Sequence, residues 1–426
     1  MSKFVIEGGY PLNGTVRPSG NKNEALPVLM ACLLTSDTIT FERVPRIQDV
    51  LTVCEILEEM GVKVVWEDDE TLHLTAKDVT TNKPSAKLCA DIRASILLMG
   101  PMLARMGGIE LPLPGGDVIG ARRIDTHWEG IEALGGHLRF HEHKIIGEIK
   151  RAKGTDVFMD EPSVTATENL LLLAATAEGT TVLHNAASEP HVVGLCNLLN
   201  AMGARIEGIG SNRLTLHGVK TLHGARHRIG PDFMEVGSML CLGAIGGGKV
   251  RIEDAGVKDL RFVLKTLSRL GINPVVSGDS LEIDGTRPLV VKKEVSGRVP
   301  TIYSGPWPAY PTDLMSVAIV AATQSIGTSI FFEKMFEGRM FFTDKLMQMG
   351  SNIVLCDPHR VVITGPSKLI GSRMSSPDVR AGMALLMAAV IADGKSTIDN
   401  IHQIERGYMA IDRKLASLGA KITREA

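Results

Sequence analysis

The sequence predicts an α/β chain of two globular domains, each assembled from three copies of one βαβαββ unit. Three observations carry this reading. The chain has 426 residues, more than one hydrophobic core comfortably holds. An amphipathic helix ending in Leu or Met, then Gly, then a strand recurs six times. Between most recurrences stands a second phrase: a helix apolar on nearly every side, a small turn and a short strand.

The first phrase reads "EILEEMGVKVVW", "GIEALGGHLRF", "LLNAMGARIEG", "LKTLSRLGINPVV", "KLMQMGSNIVL" and "KLASLGAKIT". Its anchors are Gly61, Gly135, Gly203, Gly271, Gly350 and Gly419, at successive intervals of 74, 68, 68, 79 and 69 residues by subtraction. Glycine there predicts a left-handed residue that stops the helix and releases the chain into a strand. The second phrase appears as "LLLAATAEGTTVLHNA", "LCLGAIGGGKVRIEDA", "VAATQSIGTSIFFEKM" and "LLMAAVIADGKSTIDNI". Each unit therefore reads strand, buried helix, strand, amphipathic helix, strand, strand. The period exceeds that of common solenoids, and no polar end caps are visible, so the units are expected to close three by three.

Composition excludes several classes. Hydrophobic content of 44%, charge of 22% and a net charge of −2 describe a soluble globular chain without a general pull toward nucleic acid or anionic membrane. An anionic ligand would then need local clusters of Arg and Lys. The cysteines, Cys32, Cys54, Cys89, Cys196, Cys241 and Cys356, form no C-x-x-C pair. They read as small core residues in a reducing compartment, and no Cys/His spacing suits zinc. The opening "MSKFVIEGGYPLNGTV" lacks a secretory apolar region, and "NLLLLAATA" is too short to span a bilayer. A cytoplasmic location is expected.

"GAIGGGKV" imitates a phosphate-binding loop, but it follows a helix, precedes a strand and lacks the Ser or Thr that would hold magnesium. That reading is rejected. In "RPSGNKNEALPVLMACLL", Ser19 or Asn21 can cap the following helix. Lys22 beside the cap suits an anion site and an exposed lysine equally well. Arg93, Arg380 and Arg406 read as opening helices, where their charge has the wrong sign for the helix dipole. Guanidinium groups suit bidentate capture of carboxylate and phosphate. For Asp313, in "AYPTDLMSVA", and for Ser163, Val164 and Thr165, in "EPSVTATENLLLLA", helix capping is the commoner explanation. The loop "LPLPGGDVIGARRIDTHW" places Asp117, Arg122, Arg123, Asp125 and His127 behind a Pro-Gly-Gly turn. That charge density suits an active-site lid.

"SGNKNEALP", "IRASILLMGP", "LPGGDVIGARRIDTH", "EPSVTATENLLLLAA", "AYPTDLMSVA", "FEGRM", "DVRAGMAL" and "IERGY" stand in one order along essentially the whole chain. In these motifs the sequence resembles the UDP-N-acetylglucosamine 1-carboxyvinyltransferase family. The resemblance implies a two-domain inside-out α/β barrel, an α/β prism with three units per domain around buried helices. It assigns residues 22–231 to an N-terminal domain carrying lid loop 112–124. Residues 1–21 and 232–426 form the other domain, and the active site lies in the cleft between them.

The implied reaction moves the enolpyruvyl group of phosphoenolpyruvate to the 3-hydroxyl of UDP-N-acetylglucosamine and releases phosphate. That chemistry needs a general acid, a general base and cations. Motif by motif, the resemblance places Lys22, Arg122 and Arg406 around phosphoenolpyruvate, with Arg93, Arg339, Asp378 and Arg380 completing the anion site. Asp117 becomes the proton donor and Asp313 the base toward the sugar hydroxyl, with Asn23 positioning the sugar. Arg123, Asp125 and the turn Ser163, Val164 and Thr165 face the uridine diphosphate. His127 organises the loop, and the chain at Met335 meets the sugar or uracil. No cofactor or metal is implied. The expected partners are the two small substrates, with a monomer or weak homo-oligomer and neither nucleic acid nor membrane.

Two positions depart from the family pattern. Asp117 stands where most members have Cys, so fosfomycin, which alkylates that cysteine, is not expected to inactivate this protein. Arg123 stands where Pro is usual beside the uracil. It favours a second reading, a paralogue acting on another nucleotide or nucleotide sugar. A non-catalytic repeat scaffold is the third, and the joint presence of Lys22, Arg122, Asp313, Arg380 and Arg406 argues against it.

Overall fold

All six expected helix stops form as left-handed glycines. Gly61, Gly135, Gly203, Gly271, Gly350 and Gly419 have φ between 89° and 104°, a region that costs a residue with a Cβ about 1–2 kcal/mol. The structure is a computed structural model that describes residues 2–116, 120 and 123–425. Asp117 and Arg122, assigned above to proton donation and phosphoenolpyruvate binding, lie outside the described residues.

The repeat is clearest where Asp156–Phe158 runs parallel to Thr180–His184 through the buried helix Val164–Ala174. Antiparallel Arg213–His217 and Arg205–Glu207 complete that sheet. A parallel pair needs a crossover connection, and the buried helix supplies it. The same order recurs for Thr301–Tyr303, Gly327–Phe332, Arg360–Gly365 and Ile353–Asp357. Among the described residues there are five four-stranded sheets and one three-stranded sheet. The smaller one, Gly108–Pro112 with Lys144–Glu148 and His137–His141, is wholly antiparallel. Its unit therefore departs from the expected βαβαββ order by lacking the parallel edge strand.

Strands are exchanged along the chain. Lys3–Glu7 lies between Lys395–Asp399 and Lys421–Glu425, antiparallel to both. Gly14–Val16 pairs in parallel with Lys249–Ile252, and Arg226–Arg228 pairs in parallel with Thr38–Glu42. Two compact units result, one of residues 2–19, 120 and 231–425, the other of residues 20–116 and 123–230. The helices Phe233–Ile245, Met315–Thr323 and Val379–Ile391 are buried along almost their whole length and form the core of the first. Met99–Met106 and Val164–Ala174 pack together in the second. Burying one such Leu or Met side chain contributes about 1.5–3 kcal/mol.

Five cysteines are buried free thiols, as expected for core residues. Cys356 is exposed, because it lies on the edge strand Ile353–Asp357 of its sheet. Among the described residues no helix is long and apolar enough to cross a membrane.

Candidate active site

In the 20–230 unit, Asn21 rather than Ser19 caps the first buried helix. Its Oδ1 accepts from the backbone N–H groups of Asn23 at 2.8 Å and Glu24 at 3.3 Å. The cap puts Lys22 and Asn23 in the first turn of Lys22–Met30. Lys22 is not an exposed lysine: its largely buried Nζ stands 2.6 Å from Oδ2 of buried Asp49, in the first turn of Gln48–Glu59. A buried ammonium requires such a counter-charge.

Arg93 opens the 3₁₀ helix Arg93–Leu98 as expected, and its Nη2 donates to the Arg123 carbonyl at 3.4 Å. The glycines of the Pro-Gly-Gly turn have a packing reason. A Cβ on Gly115 would stand 1.6 Å from the Ala90 carbonyl oxygen, and one on Gly116 (φ 105°) would stand 2.9 Å from Arg93 Cβ. Gly115 N–H also donates to the Cys89 carbonyl at 3.1 Å. This start of the loop lies directly against residues 89–93.

Arg123 is engaged by two carboxylates, Asp125 at 3.2 Å and Asp160 at 3.0 Å. Its pKa is raised first by the hydrogen bond to Asp125 and then by the charge of Asp160. Asp160 is held below the usual carboxylate range, chiefly by the Thr126 hydroxyl, which donates to it at 2.6 Å. Asp125 opens the helix Asp125–Ala133. His127, on the same helix, is buried, with Nε2 3.0 Å from Thr165 Oγ1 and Nδ1 2.9 Å from Asn169 Nδ2. Burial, and then the nearby Arg93 charge, push its pKa down to about 3. Both ring nitrogens are thus occupied by protein groups. Ser163 is an N-cap, its Oγ accepting from Ala166 N–H at 3.4 Å, and Val164 and Thr165 form the first helical turn.

In the 231–425 unit, Asp313 is not a helix cap. It sits in the 3₁₀ turn Thr312–Leu314 with no capping hydrogen bond. One carboxylate oxygen takes Arg339 Nη2, and the other takes Arg380 Nε at 2.9 Å. Burial opposes the charge on Arg380, but Asp313, Tyr408 and Asp232 outweigh it and hold its pKa above the ordinary value. The Tyr408 ring lies under the guanidinium, 5.4 Å from centroid to Cζ. Among the described residues, Arg339 Nε and Arg380 Nη1 are buried without a hydrogen-bond partner. Asp378 caps Val379–Ile391, accepting from Arg380 N–H at 2.8 Å and Ala381 N–H at 3.0 Å.

Arg406 corrects the sequence reading. It follows the one-turn helix His402–Glu405 instead of opening a helix, and its Nη1 donates to Gln403 Oε1 at 3.0 Å. At the Met335 turn, buried Glu333 accepts from Met335 N–H and from the Thr312 hydroxyl, both at 2.8 Å. It thereby ties this turn to the one carrying Asp313. Sequence reasoning missed Asp49, Asp160, Asn169, Glu333 and Tyr408. Asp49 reads as an ordinary first-turn acid, and the others carry no local signal, because their partners lie far off in the sequence.

The family model described as EPSP synthase (3-phosphoshikimate 1-carboxyvinyltransferase) matches residues 6–415. The UDP-N-acetylglucosamine 1-carboxyvinyltransferase of Bradyrhizobium diazoefficiens is 52% identical over 99% of this chain and 98% of that relative. The protein of the same name from Borreliella burgdorferi is 50% identical over 100% of this chain and 99% of its own length. Among solved structures, the enolpyruvyl transferase NikO from Streptomyces tendae superposes with a TM-score of 0.89 at 24% identity, covering 99% of this chain and 98% of that one. EPSP synthase from Acinetobacter baumannii gives 0.77 at 18% identity, with full coverage of both chains (100% and 100%). These two likenesses establish the two-unit α/β fold. Identity over the full length goes further, and the chain belongs to the EPSP synthase family, among its UDP-N-acetylglucosamine 1-carboxyvinyltransferases.

Proposed function

We propose that this chain transfers the enolpyruvyl group of phosphoenolpyruvate to the 3-hydroxyl of UDP-N-acetylglucosamine, releasing phosphate. Its relatives carry the name of that activity, which begins peptidoglycan precursor synthesis. The observation that carries the reading is Asp313, a carboxylate oriented by two buried guanidiniums, with Arg339 Nε and Arg380 Nη1 left without a hydrogen-bond partner among the described residues. A carboxylate held in this way is a suitable acceptor for the proton of a sugar hydroxyl. Donors such as Arg339 Nε and Arg380 Nη1 are what a carboxylate or phosphate oxygen would complete.

In this reading Asp117 protonates C3 of phosphoenolpyruvate, and C2 becomes electrophilic. The sugar oxygen bonds to C2 while Asp313 takes its proton, giving a tetrahedral ketal. Loss of a C3 proton and of phosphate, which leaves with the electrons of its C2–O bond, restores the double bond. On the 20–230 unit, Lys22 and Arg93, with Arg122 of the loop, hold the anion, and Asn23 orients the sugar. Asp125 and the turn Ser163, Val164 and Thr165 bind the nucleotide. On the 231–425 unit, Arg339, Asp378, Arg380 and Arg406 complete the anion set, and the chain at Met335 meets the sugar or uracil. Arg123 is assigned to holding Asp125 and Asp160, which removes the reason for preferring another nucleotide acceptor. The buried free thiols support a cytoplasmic location, and we expect a monomer or weak homo-oligomer.

Phosphate release from phosphoenolpyruvate, compared across UDP-N-acetylglucosamine, UMP and other UDP-sugars, tests the assignment. Release only with UDP-N-acetylglucosamine is expected. Preference for another acceptor would mean the paralogue, and no release with any would mean the scaffold.

A further inference from the structure

We infer that Asn169 and His127 are positioning residues that make the Thr165 hydroxyl an obligate hydrogen-bond donor toward a diphosphate oxygen of the nucleotide sugar, an inference that rests on the function proposed above. Asn169 is fully buried in Val164–Ala174. Gly100 N–H donates to its Oδ1 at 2.8 Å, and its Nδ2 donates to the Ile96 carbonyl at 2.9 Å. A backbone donor and a backbone acceptor thus fix which end of the amide is which.

The same Nδ2 stands 2.9 Å from His127 Nδ1. An amide nitrogen only donates, so Nδ1 must be the unprotonated nitrogen and Nε2 must carry the hydrogen. That hydrogen points at Thr165 Oγ1, 3.0 Å away. Thr165 Oγ1 accepts it, and the hydroxyl must direct its own hydrogen elsewhere. Thr165 is half-buried in the first turn of its helix, where backbone N–H groups also lack intrahelical acceptors. Ser163 Oγ, already accepting from Ala166 N–H, likewise keeps its hydrogen for a ligand. The turn offers donors throughout, which matches an acceptor-only group such as a phosphate oxygen. The charged neighbour acting on the ring is Arg93, which together with burial keeps it neutral.

The chain Asn169–His127–Thr165 also joins three segments: the one carrying Arg93, the helix opened by Asp125 and the turn of Ser163. A polarity set deep in the core is thereby delivered to the surface of this turn.

Thr165→Val keeps the shape and removes the donor. It should raise the KM for UDP-N-acetylglucosamine about tenfold, leaving the KM for phosphoenolpyruvate and kcat within about twofold, and Thr165→Ser should restore it. Ring ¹⁵N shifts of His127 should show the Nε2–H tautomer without titration from pH 5 to 9. Asn169→Asp, which can only accept, should convert the ring to Nδ1–H or imidazolium and raise the same KM. Should that variant not fold, the Thr165 pair and the wild-type spectrum decide. Equal effects on both substrates, a valine variant like wild type, or an Nδ1–H ring in wild type would overturn the inference. If wild type releases no phosphate with UDP-N-acetylglucosamine, the proposed function fails separately. Calorimetric titration with UDP then reads the Thr165 arm, where weaker binding to the valine variant supports the inference and equal binding overturns it.

Discussion

Asp313 shows what a single charge does in this fold. Its carboxylate stands between two buried guanidiniums, so Asp313→Asn would remove the counter-charge that both share. Breaking a buried pair in this way costs about 3–5 kcal/mol, and it would also remove the proposed base. A lowered denaturation midpoint together with lost phosphate release is expected, and a variant as stable as wild type would contradict the geometry. Glu168 poses the opposite problem. It is fully buried, its Oε1 has no partner among the described residues, and burial and then the charge of Glu189 raise its pKa well above the ordinary value. The folded protein therefore keeps a proton that the unfolded chain gives up near pH 4.5. Stability is lost as pH rises above that value, at about 1.4 kcal/mol per unit. Glu168→Gln should gain on wild type as pH rises above 4.5 in thermal unfolding, and a difference independent of pH would refute the assignment. At this scale the sequence disclosed which residues were odd but not their partners. The wrong dipole sign singled out Arg93 and Arg380, whereas Asp49 and Glu333 find their roles only in three dimensions.

Elements were the most legible level, because their signals are local. A Leu or Met followed by Gly stops a helix in the same way six times, and Asn21, Ser163 and Asp378 each cap the helix they precede. Arg406 was misread because a helix of one turn has no periodicity to bound it. The stops differ in what surrounds them. At Gly135 the nearest atom to an added Cβ lies 3.8 Å away, whereas at Gly61 the Asp78 carbonyl oxygen would lie at 2.4 Å. Gly135→Ala should then cost only the backbone penalty, about 1–2 kcal/mol. Gly61→Ala should cost distinctly more, because the carbonyl must also move. Chemical denaturation of both variants checks this, and equal losses would show that the Asp78 carbonyl yields freely.

For the whole molecule, six units and their grouping by threes could be read from the period, but the exchange of strands could not. Gly14–Val16 and Arg226–Arg228 have three residues each, too few for an alternating pattern. Each pairs with a strand far along the chain. Hydrophobic pattern shows which face of a strand is buried, not which distant strand it joins. Function at this scale rests on full-length kinship together with the charged groups of each unit, and the proposed proton donor is Asp117. Its carboxyl can donate a proton but offers no thiol to alkylate. The most direct measurement is phosphate release from phosphoenolpyruvate and UDP-N-acetylglucosamine after preincubation with fosfomycin, for wild type and Asp117→Cys. Acceptor-dependent release is expected, left unchanged by fosfomycin in wild type and abolished with time in the cysteine variant. Absence of release, or time-dependent inactivation of the wild-type protein, would contradict this expectation.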